Sequence, residues 1–211
     1  MARWSRIERD LRTAGFRLIA GVDEVGRGPL AGPVVVCAVI MPPDVRAIPG
    51  VADSKALSAR ERQRLAPLIR ERAVAWALGA ASVHEIDALN IAGATALAIR
   101  RAIRRLSSAA DLILIDGRPI RQLGMAHRAV VGGDARCYSI ACASIVAKVL
   151  RDRLLASLSV RHPSYKWDRN SGYGTAEHIA ALRISGLTPH HRQRFCQSAL
   201  RDVGATGSSV P

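Results

Sequence analysis

Apolar positions along the chain fall into two rhythms. Trp4, Ile7 and Leu11 recur at helical spacing until Gly15, which predicts a short amphipathic helix over residues 4–14. Residues 17–24 and 33–41 are β-rich runs separated by a Gly/Pro segment and closed by Pro42-Pro43: a strand, a tight loop and another strand. Ser58 and Glu61 form a capping box that opens a helix running to about Arg72, with Pro67 inside it expected to bend or shorten it. Val74, Trp76 and Leu78 alternate with small residues as a third strand. Ser82 and Glu85 repeat the capping box for a short helical turn, with Asp87 on its polar face. Asn90 can cap the next helix, 91–106, whose apolar face is Ile91, Leu97, Ile99, Ile103 and Leu106.

The run Leu112-Ile113-Leu114-Ile115 has no polar interruption, as in a central parallel strand, and ends in Asp116-Gly117. Ala129-Val130-Val131 is a shorter strand followed by Gly132-Gly133-Asp134. Residues 138–158 predict a long helix with a small-residue side (Ser139, Ala141, Cys142, Ala143, Ser144, Ala147) that can lie close on a sheet, and Lys148, Arg151, Asp152 and Arg153 on a polar side. Beyond His162-Pro163, residues 165–175 gather aromatics, cations and glycines without periodicity, so their aromatics are expected at the surface. Thr175 can cap a helix over 176–185 that Gly186 stops. Thr188-Pro189 is expected to start a last short helix carrying His190-His191-Arg192, and the chain from Val203 reads as disordered. The expected organisation is an α/β core over 1–160, a helical segment over 161–202 and a tail over 203–211.

Composition adds a bias towards anions. The 211 residues carry 31 Lys plus Arg against 17 Asp plus Glu, a formal +14, which favours a polyanionic partner. Arginine suits phosphate oxygens, although an Arg-rich composition also follows from a GC-rich genome. The cluster Arg100, Arg101, Arg104 and Arg105 can equally be a solvated face or a nucleic-acid contact. The start of the chain is too polar for a secretory signal and no apolar run is long enough to span a bilayer, so a soluble, cytoplasmic protein is expected. Cys37, Cys137, Cys142 and Cys196 show no C-x-x-C spacing and are expected to be structural, reduced thiols.

The chemistry concentrates in residues 21–32. Asp23-Glu24 runs into Gly26-Arg27-Gly28, placing acids suited to a cation beside a backbone that a phosphate or sugar can approach. Gly26-x-Gly28-x-x-Ala31 fits the dinucleotide fingerprint, but Pro33 and a β-branched run follow where that fingerprint needs a helix, so a nucleotide cofactor is excluded. Asp116 stands at the carboxyl end of its strand, the ligand-binding edge of open α/β sheets. Asp134 repeats the pattern, though an Asp there also serves as an ordinary turn or cap residue. On a regular strand Asp23 and Glu24 point to opposite faces, so the strand is expected to end or twist there if both serve one site.

Taken in order, Asp23-Glu24, Gly26-Arg27-Gly28, Asp53-Ser54-Lys55, Ile115-Asp116-Gly117, Gly133-Asp134, the Ala143–Lys148 run and Gly172-Tyr173-Gly174-Thr175 resemble bacterial ribonuclease HII, the type 2 ribonuclease H family, over roughly residues 15–195. The resemblance implies a ribonuclease H-like mixed β-sheet flanked by helices, with a small C-terminal helical segment. It implies a metal-dependent endonuclease of ribonucleotide excision repair and DNA replication. Such an enzyme hydrolyses RNA in RNA/DNA hybrids and incises 5′ of ribonucleotides embedded in duplex DNA, leaving 3′-hydroxyl and 5′-phosphate ends. Carried over by motif, Asp23, Glu24, Asp116 and Asp134 are the catalytic carboxylates holding two divalent cations, Mn²⁺ or Mg²⁺. Gly26, Arg27 and Gly28 read the 2′-hydroxyl and hold the adjoining phosphate, Tyr173 stacks on the next sugar, and Lys55 meets a phosphate. Ser54 and Lys148 are further candidates near the site. Four carboxylates and no Cys/His cluster agree with hard divalent ions rather than zinc.

The chain departs from the family pattern at Gly132 and at Asn170-Ser171, where cations are common, which bears on affinity and salt dependence. His191-Arg192-Gln193-Arg194-Phe195 departs too and is assigned no role. No sliding-clamp motif is visible, no membrane contact is expected, and a monomer is. The competing readings are a non-catalytic RNA- or hybrid-binding protein and another nuclease of the same fold. A pure binder gains nothing from carboxylates facing a polyanion.

Overall fold

Local signals at the start of the chain also serve a distant element. In this computed structural model, which describes residues 5–43 and 45–205, Ser5 and Glu8 form a capping box that opens helix α1 (Arg6–Thr13). Glu8 is fully buried, and its carboxylate also accepts the N–H groups of Tyr138 (2.8 Å) and Ser139 (2.9 Å) and the Ser139 hydroxyl (2.6 Å). Those are the first residues of the long helix α5 (Tyr138–Arg161), so an anion from one helix closes the positive end of another. Trp4 lies outside the described residues.

Strand β1 (Ile19–Val25) is the middle of a five-stranded mixed sheet. It pairs antiparallel with β2 (Val34–Ile40), which pairs antiparallel with β3 (Ala75–Ala81). On its other side it pairs parallel with β4 (Leu112–Asp116), itself parallel to β5 (Arg128–Val130). β2 is buried at every position because helices cover both faces of the sheet. One layer is α5 with α2 (Ala59–Arg72), sharing a core with Cys37 and Val39. The other is α3 (Val83–Arg104), whose Ala94, Ala98, Ile99 and Ala102 pack on Val22, Val36 and Ala38. A Cβ at Gly21 would collide with the Ser139 backbone, so the bare glycine is what lets α5 lie directly on β1.

This is the mixed sheet flanked by helices expected from the sequence. Both Ser/Glu capping boxes read from the sequence form, a third stands at Ser5 and Glu8, and the Asn90 side chain accepts the N–H groups of Ala92 and Gly93. α2 nevertheless runs undivided through Pro67, its buried Leu65, Ala66 and Ile69 held against the core. The turn after Ser82 is not a separate short piece but continues into α3, interrupted only by the extended backbone of Asn90 (φ 57°, ψ 172°). Asp87 does more than sit on a polar face, since its carboxylate accepts from Gln193 N (3.0 Å). The four cysteines are buried and free. Among the described residues no helix is long and apolar enough to cross a membrane.

After the short helix α4 (Gly133–Arg136) and α5, the chain forms α6 (Trp167–Asn170), α7 (Ala176–Ser185) and α8 (Gln193–Ala205). Of the aromatics expected at the surface here, Tyr173 is exposed, but Tyr165 and Trp167 are buried in a core, stacked at 5.2 Å and packed with Leu155, Leu158 and Leu182. Thr188-Pro189 starts a turn rather than a helix, because the His191 ring accepts the Thr188 N–H and His191 bridges Ala31 across the loop; α8 begins only at Gln193. It continues through Val203 to Ala205, where a disordered tail was expected, and residues 206–211 lie outside the described residues.

Two stability predictions follow from these buried groups. Glu8→Ala removes the acceptor of two helix-end amides and should lower the unfolding free energy by about 3 kcal/mol. Asp10→Ala, at the exposed ion pair with Arg6, should change it by less than about 0.5 kcal/mol; urea denaturation of both checks this. Burial, then the charges of His178, His162 and His190, push the His191 imidazole down to about 4 from its ordinary 6.5, so the fold holds the neutral ring. That contribution is complete above pH about 6.5 and is lost as pH falls towards about 4, to a total of up to about 3 kcal/mol. Thermal melts across that range should show the loss, and a His191→Gln variant should show less of it.

Candidate active site

The register of the sheet sets two acids side by side. Val22 pairs with Ile115, so the next residues along, Asp23 and Asp116, stand level at the carboxyl ends of neighbouring parallel strands. Their side chains share the face covered by α5. Asp134 approaches from α4, the short helix directly before α5, and the Asp116 carboxylate accepts the neighbouring Gly133 N–H at 2.6 Å.

Glu24 joins them although β1 neither ends nor bulges there. The pairing with β2 continues regularly through Val25, and what ends after Val22 is the pairing with β4. Glu24 is thus at the open end of the sheet, where its longer side chain brings the charge within reach of Asp116. Burial raises the Asp23 carboxyl well above its ordinary range, with Glu24, Asp116 and Asp134 adding to the shift. Burial also raises Glu24, opposed by its hydrogen bond from Arg27 and reinforced by Asp116. Asp23 and Glu24 are thus harder to ionise because of the acids beside them, as expected where carboxylates are gathered at one place.

Two side chains supply part of that charge. Lys55 Nζ meets Asp134 at 3.1 Å and is raised chiefly by that hydrogen bond, with Asp53 and Asp23 contributing. Arg27 Nη1 meets Glu24 at 3.1 Å. The oxygen-only donor set and its unrelieved charge fit hard divalent ions. Among the described residues, no group of three or more His, Cys, Asp and Glu side chains stands in position to grip an ion. Fit is therefore in chemistry and charge, not in a closed cage.

Beside the acids, the Gly26–Pro33 loop is held from behind by two buried arginines. Arg192, 0% exposed, donates to the carbonyls of Gly26, Arg27 (2.7 Å) and Gly32 (2.8 Å). Arg151, 1% exposed, donates to Ala31 (3.0 Å), Pro33 (3.1 Å) and Ser171 (2.9 Å). Gly26 has φ +91°, and a Cβ there would strike the Arg151 guanidinium, so no other residue fits. Burial, then the charge of Arg151, lowers Arg192 to about 10, which leaves it charged at neutral pH. With the loop's carbonyls turned inward on these cations, the N–H groups of Arg27 and Gly28 have no partner among the described residues.

The second loop is stitched to the first. Leu30 N and Ala31 N donate to Gly172 O at 2.8 and 3.2 Å, and a Cβ on Gly28 would come within 3.6 Å of the Tyr173 ring. Tyr173 is 48% exposed, alone among the aromatics of its segment. At the departures from the family pattern, Asn170 Oδ1 accepts Gly172 N (2.8 Å) and Ser171 donates its hydroxyl to Asp152 and its carbonyl accepts Arg151. These residues hold the turn where a cation was common.

Of the residues singled out from the sequence, Asp23, Glu24, Asp116, Asp134 and Lys55 come together, with Gly26, Arg27, Gly28 and Tyr173 alongside. Ser54 is buried, its N–H on Ser144 Oγ (3.3 Å), and supports the Lys55 loop from α5. Lys148 is turned to Asp152 at 2.8 Å. The arginine cluster on α3 is largely occupied within the chain: Arg100 on Gln122 O, Arg101 on Glu85, Arg105 on Leu78 O. Missed were Arg151 and Arg192. Arg151 had a signal, since Ser144, Ala147, Arg151, Leu155 and Leu158 form one buried stripe of α5.

Comparison with known proteins bears on this arrangement. A family model described as ribonuclease HII matches residues 20–198. The ribonuclease HII of Paracoccus denitrificans (strain Pd 1222) is 52% identical over 191 residues, 90% of each chain. The solved ribonuclease H2 from Pyrococcus horikoshii OT3 superposes with a TM-score of 0.72 at 24% identity, covering 87% of this chain and 97% of that one. Bst-RNase HIII in complex with Mn²⁺ gives a TM-score of 0.67 at 21% identity, covering 90% of this chain and 71% of that one. The two structural likenesses concern the fold.

If the buried guanidinium of Arg192 fixes the loop, Arg192→Lys, which keeps the charge but loses the fork, should accelerate amide hydrogen exchange at Leu30, Ala31 and Gly32 by about 100-fold. The amides of β2 should exchange as in the parent protein, and mass-resolved exchange measures both.

Proposed function

The chain belongs to the ribonuclease HII family, and on that footing we propose that this ribonuclease hydrolyses RNA in RNA/DNA hybrids and incises 5′ of single ribonucleotides in duplex DNA, leaving 3′-hydroxyl and 5′-phosphate ends. The observation that carries the proposal is the convergence of four carboxylates, of which Asp23 and Glu24 are raised by burial and by their acidic neighbours, beside a loop in which the amides of Arg27 and Gly28 have no partner among the described residues. A polyanion is repelled by such a cluster unless cations intervene.

Asp23, Glu24, Asp116 and Asp134 are the residues that would hold two divalent ions, Mn²⁺ or Mg²⁺; the related Bst-RNase HIII was solved with Mn²⁺. When bound, such ions supply Lewis-acid activation of water and charge neutralisation at the leaving 3′-oxygen. The remaining work falls to the protein. Arg27 and Gly28 present N–H groups to a 2′-hydroxyl, which deoxyribose lacks, and site-built hydrogen bonding of this kind discriminates strongly against the analogue without the partner. Arg27, half-exposed beside Glu24, takes the adjoining phosphate. Lys55, whose side chain is 81% exposed, exchanges Asp134 for a phosphate oxygen as substrate arrives. The Tyr173 ring packs on the sugar of the following deoxynucleotide. Residues 1–160 act as the catalytic core and 161–202 as the segment that delivers Tyr173.

A cleavage assay on duplex DNA carrying one ribonucleotide, with Mg²⁺ or Mn²⁺, tests this. The expected result is one incision 5′ of the ribonucleotide; no incision, or equal cutting of an all-DNA duplex, rejects it. Asp116→Asn should lower turnover by at least about 100-fold with hybrid binding still measurable. Unchanged turnover would remove Asp116 from the metal site.

A further inference from the structure

Behind Tyr173 runs a chain of imidazoles for which the proposed reaction has no use. The Thr188 N–H donates to His191 Nδ1 at 2.9 Å, His191 Nε2 lies 3.0 Å from His178 Nε2, and His178 Nδ1 lies 2.8 Å from the Tyr173 carbonyl. A carbonyl only accepts, so His178 carries its proton on Nδ1 and leaves Nε2 bare. A backbone N–H only donates, so His191 is bare at Nδ1 and carries its proton on Nε2. The two assignments agree where the rings meet: His191 Nε2–H donates to His178 Nε2. The Trp167 indole N–H, 3.1 Å from the same atom, demands the same tautomer.

Both rings are therefore neutral and oriented in one direction, from Thr188 to Tyr173. They are buried, at 0% and 4% exposure, among Trp167, Tyr165 and Leu182, where apolar side chains would fill the space at a lower desolvation cost. What the histidines add is a hydrogen bond delivered to one main-chain atom. The described contacts of Tyr173 lie on its main chain too: its N–H donates to Asn170 O at 2.9 Å, and its carbonyl also accepts from Thr175 N at 2.9 Å. The phenol itself projects into solvent beside Gly28.

We propose that His178 and His191 are positioning residues, a neutral relay that sets the main-chain orientation of Tyr173 and so governs recognition of an embedded ribonucleotide rather than the chemical step. This rests on the reading of Tyr173 as the sugar contact. The relay acts on where the ring stands when a single ribonucleotide offers only one correct register. A long hybrid offers many registers and depends on it less.

Asn and Gln separate the two ring nitrogens of His178, since an Asn amide falls near Nδ1 and a Gln amide near Nε2. His178→Asn keeps a donor for Tyr173 and should stay within about threefold of the parent protein, whereas His178→Gln should raise KM for the single-ribonucleotide duplex about tenfold, with kcat on a long hybrid within about twofold. Combined with Tyr173→Ala, His178→Gln should add nothing further. Equal KM values for the Asn and Gln variants, or effects that multiply with Tyr173→Ala, overturn the relay. If Tyr173→Ala alone leaves the KM unchanged, the sugar-contact reading fails and takes the relay with it. If Tyr173→Ala raises it and His178→Gln does not, the relay alone falls. Should thermal melting show His178→Gln unfolded, the far end carries the same test. His191→Gln keeps an N–H at Nε2 and should match the parent, His191→Asn should raise KM, and equal values overturn the proposal.

Discussion

A guanidinium taken out of water must recover its hydrogen bonds inside the protein, and Arg151 and Arg192 recover theirs from main-chain carbonyls of one short loop. The backbone loop beside the acids depends on that exchange. The carbonyls of Gly26, Arg27, Ala31, Gly32 and Pro33 are drawn inward, the strained turn at Gly26 is held in place, and the amides of Arg27 and Gly28 are left without a partner among the described residues. Neither arginine forms a salt bridge among the described residues, although the charges of Asp152 and Asp87 act on them, so positive charge persists behind the loop. A neutral pair of side chains could have anchored the backbone, but it would not have left a cationic floor under the loop proposed to meet phosphate.

The acids are delivered by a different constraint, the register of a parallel strand pair. The pairing of β1 with β4 ends at Val22 and Ile115, which makes neighbours of Asp23 and Asp116, and α4 brings the last acid from the face that α5 covers. Glu8 closes the start of α5 from below, so the position of Asp134 is set partly by the first helix. The result alternates in sign across a short distance: anionic at the clustered acids, cationic beneath the backbone loop, with Arg27 and Lys55 at the seam. On the proposed reading, such an arrangement would resist a bare nucleic acid and accept one that arrives with divalent cations.

Much of this was legible in the sequence, for reasons that differ by residue. Strand runs and Ser/Glu capping boxes are local, so their elements formed where their patterns stood. The acids at strand ends were conspicuous because nothing local explained Asp116. Buried polar residues were the blind spot. Arg151 and Arg192 look like surface cations, and only their partners 120 and 165 positions away reveal otherwise. Tyr165 and Trp167 lacked periodicity because their core is built from several short segments rather than one amphipathic helix. Glu8 drew no attention in the first helix, because its partners at the start of α5 lie 130 positions on. Asn170 and Ser171 show the converse: a departure that seemed to subtract a cation adds the hydrogen bonds of a turn.

The long reach of Arg192 also orders events in time. A chain emerging from the ribosome presents the Gly26–Pro33 loop and all four acids well before Arg192 follows. Until that residue arrives, the carbonyls of Gly26, Arg27 and Gly32 lack the guanidinium that holds them. The loop beside the acids thus stands near the start of the chain yet is completed only when its final segment folds back.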